Sequence, residues 1–289
     1  MTPENIQSLI DEALAIEIEE AKEAGKLGYM ARVFVQATMP HSKQQGFVFT
    51  RQNGNFRLKI MADDEAGLPY GAMPRLLLSY LNTEAVKTKE PKIILGRSMS
   101  EFMRKVGFDM PRGGKRGNIT TLKNQAHRLF SSVISCTYEQ EELLGGKRLL
   151  LADEHMLWWD TKNIQQQNIF ESYVQLSPAF FEEITQNPIP IDLRAIQALK
   201  GSSMALDIYC WLTYRMSYLK KPTNIPWEAL QLQFGAGYPD TAQGKADFKR
   251  KFQQSLKKVT TIYRSARVSP DKNYLSLNPS RTHLRKKAG

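Results

Sequence analysis

The apolar positions in the middle of the chain repeat with the spacing of two short amphipathic helices. The first helix is expected between Ser98, which begins a capping box with Glu101, and Gly107, which ends the helix. After a polar, glycine-rich link over 109–117, Asn118 is expected to cap the second helix. Its apolar face comprises Ile119, Leu122, Ala126, Leu129, Phe130 and Val133. A glycine-containing turn before a basic second helix predicts a helix–turn–helix motif.

A second copy of this pattern begins about 128 residues further along the chain. In spacing, Met99, Phe102, Val106 and Gly107 correspond to Trp227, Leu230, Phe234 and Gly235. A glycine-rich link over 235–244 again precedes a helix, with Phe248, Phe252, Leu256, Val259 and Tyr263 on one face. Upstream, an apolar helix expected over 75–86 has a counterpart over 205–217. The nearly constant offset favours a duplicated unit, and chance agreement between short patterns is the alternative explanation.

Each unit is expected to end in a β-hairpin. In the first, strands over 135–141 and 148–152 flank a turn at 144–147, and a further strand is expected over 156–159. In the second, strands over 266–269 and 274–277 flank a turn formed by Pro270, Asp271, Lys272 and Asn273. The sequence therefore predicts an α+β protein with two tandem winged-helix domains, each a helical core with a β-hairpin wing. We place the domains at 28–165 and 166–289, with a polar junction at 161–172.

The segment before the first helical unit divides into an acidic helix and a set of strands. Residues 1–27 are predicted to form an amphipathic helix with Ile6, Leu9, Ile10, Ala13 and Leu14 on one side, which either docks on the core or serves a partner. Over 28–61, residues of strand character alternate with period two around Gly46 and Asn53-Gly54. These residues are Val33, Val35, Phe47, Phe49, Phe56, Leu58 and Ile60.

Charge narrows the class of partner. The 289 residues include 40 basic and 29 acidic ones, a net charge of +11. Nine basic and two acidic residues fall within 91–135, and thirteen basic and two acidic residues follow 243. An anionic partner is favoured. No apolar run approaches the ~18 residues of a membrane span, and the two cysteines are predicted to be buried thiols of a cytoplasmic protein.

The chain shows no recognisable catalytic or metal-binding motif. It contains no GxxxxGK[ST] loop, and its four histidines are scattered without HxH or HExxH spacing. The densest acidic cluster, Asp63-Asp64-Glu65, is expected to be a solvated loop rather than a Mg²⁺ site. We therefore predict no enzymatic activity, no catalytic residue, no bound metal and no cofactor.

Three runs of sequence resemble the RepA/TrfA-like family of plasmid replication initiators. They are GLPYGAMPRLLLSYLNTEAV from Gly67, LGRSMSEFMRKVGFD from Leu95, and GGKRGNITTLKNQAHRLFSSVIS from Gly113. The resemblance implies two winged-helix domains that bind repeated sites, called iterons, in double-stranded plasmid origin DNA. It also implies melting of an adjacent A·T-rich segment, recruitment of host DnaA and the replicative helicase, and monomer–homodimer exchange.

The second helix of the later unit is the better candidate for reading DNA. Arg250 and Gln253 are predicted to contact base edges, because a guanidinium fork fits guanine and an amide fits adenine. Lys245, Lys249, Lys257 and Lys258 are predicted to contact phosphates, and Arg264 and Arg267 to place the wing. In the first unit the counterparts are Lys115, Arg116, Thr120, Thr121, Asn124 and Arg128. For each, a solvated helix exterior is the alternative.

Three other functions fit the same sequence. A tandem winged-helix transcriptional repressor without initiation activity would have the same fold and contacts. A DNA-processing enzyme would use Asp63, Asp64 and Glu65 as a metal site. A protein-interaction module built on the acidic N-terminal helix is compatible with any of these.

Overall fold

The N-terminal part of the chain combines short helices with the first β-hairpin. A computed structural model describes residues 3–108, 110, 112, 117–140, 143–157, 166, 170–235 and 237–284. The first elements are α1 (Pro3–Ile18), β1 (Leu27–Ala31), α2 (Arg32–Gln36), β2 (Val48–Asn53) and β3 (Phe56–Met61). The hairpin β2–β3 turns at Asn53-Gly54, where Gly54 has a φ of 55°. This confirms the turn expected from the Asn-Gly pair, since glycine reaches positive φ without strain.

The two helical units follow in chain order. The first contains α3 (Ala72–Thr88), β4 (Lys92–Gly96), α4 (Met99–Lys105), α5 (Asn118–Phe130), β5 (Val133–Gln140) and β6 (Leu143–Leu150). The connecting elements are β7 (Ala152–Met156), β8 (Ser172–Leu176), α6 (Pro178–Gln186), β9 (Pro188–Asp192) and α7 (Leu193–Leu199). The second contains α8 (Ser203–Met216), β10 (Thr223–Pro226), α9 (Trp227–Phe234), α10 (Ala242–Ile262), β11 (Arg267–Pro270) and β12 (Tyr274–Asn278). Both units thus have the order helix, strand, helix, helix, hairpin.

All the strand pairs of the described chain are antiparallel. The sheets have the orders β2-β3-β5-β6, β4-β8-β7, β1-β9 and β10-β12-β11. The hairpin β2–β3 therefore extends the sheet of the first unit. Strands β1 and β4 pair with β9 and β8, which lie beyond residue 165, so two sheets draw strands from both sides of that point. The division at 165/166 stays a prediction.

Local capping signals explain where the paired helices begin and end. The Ser98 hydroxyl accepts a hydrogen bond of 3.2 Å from the Glu101 amide, which confirms the expected cap of α4. At the end of α4, Gly107 adopts a φ of +94°, which favours glycine. Helix α10 is capped by Thr241, whose hydroxyl accepts from the Gly244 amide at 3.1 Å. These caps satisfy amides that have no partner within the helix.

Five expected element boundaries are wrong. The N-terminal helix expected over 1–27 ends at Ile18, and Leu27 already belongs to β1. Val33 and Val35 lie in helix α2, where Val33, Phe34 and Val35 are all buried; a short helix can bury three consecutive side chains, whereas an alternating strand cannot. The cap of α5 is Gly117, because the Asn118 side chain instead accepts from the Arg112 amide at 2.6 Å. The other two boundaries concern the hairpin β5–β6 and the strand that follows it.

The hairpin β5–β6 of the first unit turns earlier in the chain than its glycines suggest. Residues 144–147, expected as its turn, lie within β6, and Gly146 pairs with Thr137. The ladder runs unbroken from Val133–Leu150 to Gln140–Leu143, which leaves 141–142 as the link, outside the described residues. Each added pair satisfies further backbone groups, which outweighs the turn preference of glycine. The third strand is β7, Ala152–Met156, instead of 156–159, and residues 158–165 lie outside the described chain.

Helices α3 and α8 form the centre of the core. Leu76, Leu77, Leu78 and Leu81 are at most 1% exposed, so the leucines of α3 belong to the core. Both cysteines are buried, which confirms the expectation. Helix α1 docks on α7 and α10 and buries Leu9 and Ala13. The acidic N-terminal helix therefore docks on the core. No helix within the described residues has the length and apolarity needed to cross a bilayer.

A buried ion pair joins α3 to α8, the corresponding helices of the two units. Arg75 donates to both carboxylate oxygens of Asp207 at 2.6 Å, and its other donors reach the carbonyls of Met39, Pro40 and Gly71. His41 Nε2 lies 2.7 Å from Asp207. Burial lowers the pKa of His41, which favours the neutral imidazole in this contact. Burial alone would raise the pKa of Asp207, but the Arg75 guanidinium holds it below its ordinary value.

Candidate nucleic-acid interface

Helix α10 presents an outward polar face along its 21 residues. Phe248, Phe252, Leu256 and Val259 are buried on its inner side, at the i, i+4, i+8 and i+11 spacing of one helical face. Arg250, Gln253 and Lys257 lie toward the opposite side; Arg250 and Lys257 are exposed, the Arg250 side chain to 71%, whereas Gln253 is half-buried. The structure therefore brings the two residues predicted to read bases together on one accessible face.

Arg250 is held by neighbours on its own helix. Its Nη2 donates to Oδ1 of Asp247 at 2.6 Å, and Gln243 Nε2 donates to the other carboxylate oxygen at 3.1 Å. The spacing i−4, i, i+3 places these three side chains along one edge of α10. Sequence reasoning did not single out Asp247 or Gln243, although this spacing was visible in the sequence.

The cations on the side of α10 nearer to α9 are engaged with protein groups. Lys245 pairs with Asp240 at 2.9 Å, and its side chain is 47% exposed. Lys249 is half-buried; its Nζ donates to the carbonyls of Asp271 at 3.0 Å and Lys272 at 2.6 Å. Its ammonium lies 4.9 Å from the centre of the Trp227 ring.

A cleft of about 510 Å³ lies between α9, the start of α10 and the turn of the β11–β12 hairpin. Lysines 245, 249 and 272 line it together with the aromatic rings of Trp227 and Tyr274. Lys257, by contrast, is exposed and Lys258 is half-buried further along α10. The second unit thus offers a convex cationic helix face beside a concave cationic cleft.

The two arginines expected to place the wing lie away from the hairpin turn. Arg264 Nη1 forms an ion pair of 3.1 Å with Glu17 Oε2 of α1. Arg267 is exposed at the first position of β11, paired with Asn278 at the far end of the hairpin from its turn. Lys272 is the basic residue that occupies the turn itself, where it is exposed. A role for Arg264 and Arg267 on DNA stays a prediction.

In the first unit, the Arg128 side chain is bonded to another part of the protein. Its Nη1 donates to the Leu68 carbonyl at 3.1 Å, and its guanidinium lies 5.5 Å from the Tyr70 ring centre. A Cβ at Gly67, which has a φ of +74°, would lie 2.8 Å from Arg128 Nη1. The neighbouring Gln125 is buried and accepts from the Tyr70 amide at 2.9 Å. Arg128 and Gln125 therefore fix the 67–70 loop to α5.

The other residues predicted in the first unit are distributed along α5. Asn124 and Thr121 are exposed, Thr120 is half-buried, and the Thr121 hydroxyl donates to the Gly117 carbonyl at 2.9 Å. Lys115 and Arg116 lie outside the described residues.

The acidic cluster at 63–65 has a local structural role. Oδ1 of Asp63 accepts from the amides of Glu65 at 2.9 Å and Ala66 at 3.2 Å, as in a capped turn. Within the part of the chain that the structure describes, no group of three or more potential metal ligands comes together.

Comparison with protein families matches residues 68–229 to the model for the plasmid-encoded RepA protein. The matched residues make up more than half of the chain. The chain belongs to the family of plasmid-encoded RepA proteins. This confirms the resemblance to RepA/TrfA-like plasmid replication initiators. The family match runs from the 67–70 loop into α9, so that α10 and its hairpin lie beyond it. No curated protein sequence matches the chain.

Two solved structures share this RepA-family fold. The crystal structure of RctB domains 2-3 superposes with a TM-score of 0.52 at 11% identity, covering 86% of this chain and 97% of that one. A selenomethionine derivative of RctB domain 2 and domain 3 gives a TM-score of 0.51 at 10% identity, covering 86% and 99%. At such identity the likeness concerns the fold.

Proposed function

We propose that the chain is a plasmid DNA replication initiator that binds iterons at the plasmid origin through two winged-helix units. In each unit the hairpin is the wing, and α5 and α10 are the helices that lie on the duplex. Membership of the RepA family supports origin DNA as the partner. The fold similarity to a two-domain fragment of RctB supports the use of both units together.

The observation that carries this proposal is the accessible face of α10. Arg250, Gln253 and Lys257 recur every three to four residues on that face, so a major groove can receive them together. The Asp247 carboxylate fixes the Arg250 guanidinium before DNA arrives, which lowers the conformational entropy lost on binding. Arg250 and Gln253 then read base edges, while Lys257 and Lys258 contact phosphates.

The two units reinforce each other because they are joined. Once one unit is bound, the other is held at a high effective concentration over the adjacent DNA. If the pair neutralises ~6–10 phosphates, affinity falls steeply between low and moderate salt. The first unit contributes through the exposed Thr121 and Asn124 of α5. We further propose that the bound protein promotes melting of the origin and recruits host DnaA and the replicative helicase.

Footprinting on the DNA that flanks the gene for this chain tests the proposal. We expect protection of several direct repeats, and a plasmid carrying only that DNA should be maintained when the chain is supplied in trans. Protection of a single palindrome without maintenance would instead identify a transcriptional repressor. Nicking of a supercoiled origin plasmid in the presence of Mg²⁺ would identify a DNA-processing enzyme.

A further inference from the structure

The hairpin turn of the second unit is attached to the helices by its carbonyl groups. The Asp271 carbonyl accepts from Trp227 Nε1 at 3.1 Å and from Lys249 Nζ at 3.0 Å, and the Lys272 carbonyl accepts from Lys249 at 2.6 Å. The turn is closed internally by bonds from the Asp271 amide to the Tyr274 carbonyl and from the Asn273 amide to the Asp271 side chain. Lys249 and Trp227 thus join the turn to α10 and α9.

Most of the bonding capacity of Lys249 is used in this contact. An ammonium group has three donors, and two of them are directed at turn carbonyls. The charge lies over the Trp227 ring, which supplies a further favourable interaction. Moving this group to a phosphate would leave the Lys272 carbonyl without its charge-assisted bond.

We propose that Lys249 is a positioning residue, which fixes the hairpin turn against α10 and so sets the place of Lys272 beside the DNA-binding face. The phosphate contact at this point is then made by Lys272, which is exposed on the turn and lines the same cleft. The consequence for DNA rests on the proposed function, whereas the attachment of the turn does not.

Hydrogen exchange of the free protein tests the attachment. In Lys249→Met, which keeps the aliphatic stem but has no donor, the amides of Asp271 and Asn273 should exchange about 25-fold faster, the product of two lost hydrogen bonds of about fivefold each. Lys249→Arg should restore slow exchange, because a guanidinium can also donate to two carbonyls. Lys245→Met, one turn earlier on α10 and paired with Asp240, is the matched control and should leave the turn unchanged. Equal exchange in all four proteins would overturn the proposal.

Salt dependence of origin DNA binding tests the consequence. Each lost phosphate contact reduces the slope of log affinity against log salt by ~0.9. Lys249→Met and Lys272→Met should each reduce the slope by about 0.9 and, because both remove the same contact, the double variant by about 0.9 as well. A reduction of the slope by about 1.8 in the double variant would show two independent phosphate contacts and overturn the proposal.

The two arms separate this inference from the proposed function. If the wild-type protein does not bind origin DNA, the proposed function fails, and hydrogen exchange still decides whether Lys249 holds the turn. If the protein binds DNA but turn exchange is insensitive to Lys249, the proposed function stands and the positioning role is wrong.

Discussion

The two units share an order of elements but use their polar residues differently. In the second, the strand before the helix pair, β10, joins its own hairpin in a three-stranded sheet, whereas β4 of the first unit pairs with β8. Arg250 of α10 is exposed and held by its own helix, whereas Arg128 of α5 is bonded to the 67–70 loop. A shared hydrophobic pattern therefore produces the same helices, while long-range contacts decide which cations remain for a ligand.

Removing the ion pair between α3 and α8 should have the largest effect, because both units depend on it. Asp207→Ala leaves the Arg75 guanidinium buried without its counter-ion, so we expect a loss of about 3–5 kcal/mol in the free energy of unfolding, measured by urea denaturation. Glu171→Gln is the control, since its pair with Arg97 is exposed at 3.4 Å and should contribute less than about 1 kcal/mol. A loss below 1 kcal/mol for Asp207→Ala would show that the units are joined by other contacts.

Acid should affect the second unit more than the first. Burial lowers the pKa of His283 to about 4; Asp192, Arg194 and Glu20 surround it at longer range. The unfolded chain therefore takes up the proton first, and stability that is complete above pH 6.5 declines by about 3 kcal/mol as the pH falls to 4. His283→Gln should flatten this decline in unfolding curves recorded across that range.

His155 of β7, in the connecting segment that follows the first unit, provides the matched comparison for this acid effect. Burial also lowers the pKa of His155, but the residue is only half-buried beside Phe130. His155→Gln should therefore change the decline less than His283→Gln does. Equal flattening by the two substitutions would contradict the expected difference between the two histidines.

Substitutions of Arg250 and Arg128 should have different effects, the first on DNA recognition and the second on stability. Arg250→Ala should cost about 1–3 kcal/mol on cognate DNA and less on a scrambled duplex, because it removes a base contact. Arg128→Ala should lower the midpoint of thermal unfolding and leave base preference unchanged, since its partners are Leu68 and Tyr70. Affinities on both duplexes at two salt concentrations, together with thermal unfolding, measure these effects. An equal loss on both duplexes for Arg250→Ala would assign it to a phosphate.

The helix caps should give the smallest and most similar effects. Ser98→Ala in the first unit and Thr241→Ala in the second each remove one bond to an amide at a helix start, and each should cost about 1 kcal/mol in chemical denaturation. Thr241→Ala should also weaken DNA binding, since it loosens the first turn of α10. If Ser98→Ala weakened DNA binding to the same extent, the helix pairs of the two units would contribute equally to DNA affinity.

Features encoded by neighbouring residues could be predicted from the sequence. The helix cap at Ser98, the Asn53-Gly54 turn and the hairpin turn at 270–273 each depend on a few adjacent side chains, and the structure has all three. The apolar face of α10 could also be predicted, because helical periodicity determines it.

Features set by distant residues could not be predicted. Arg128 meets Leu68 across 60 positions, and Lys249 meets the hairpin turn across 22, so both looked like free cations in the sequence. The glycines at 145–146 suggested a turn, but pairing with β5 kept them in a strand. The burial of Val33 and Val35 in a helix likewise depends on the rest of the core packed around them.

The Arg75–Asp207 contact has a geometric consequence for the spacing of the two contacted segments on DNA. Because it joins the central helices of the two units, under the proposed function it would hold the angle between α5 and α10 about a duplex more firmly than a loose tether could. The two helices would then meet grooves at one rotational phase. Inserting half a helical turn, about 5 base pairs, between the two contacted segments would carry the second segment to the opposite side of the double helix.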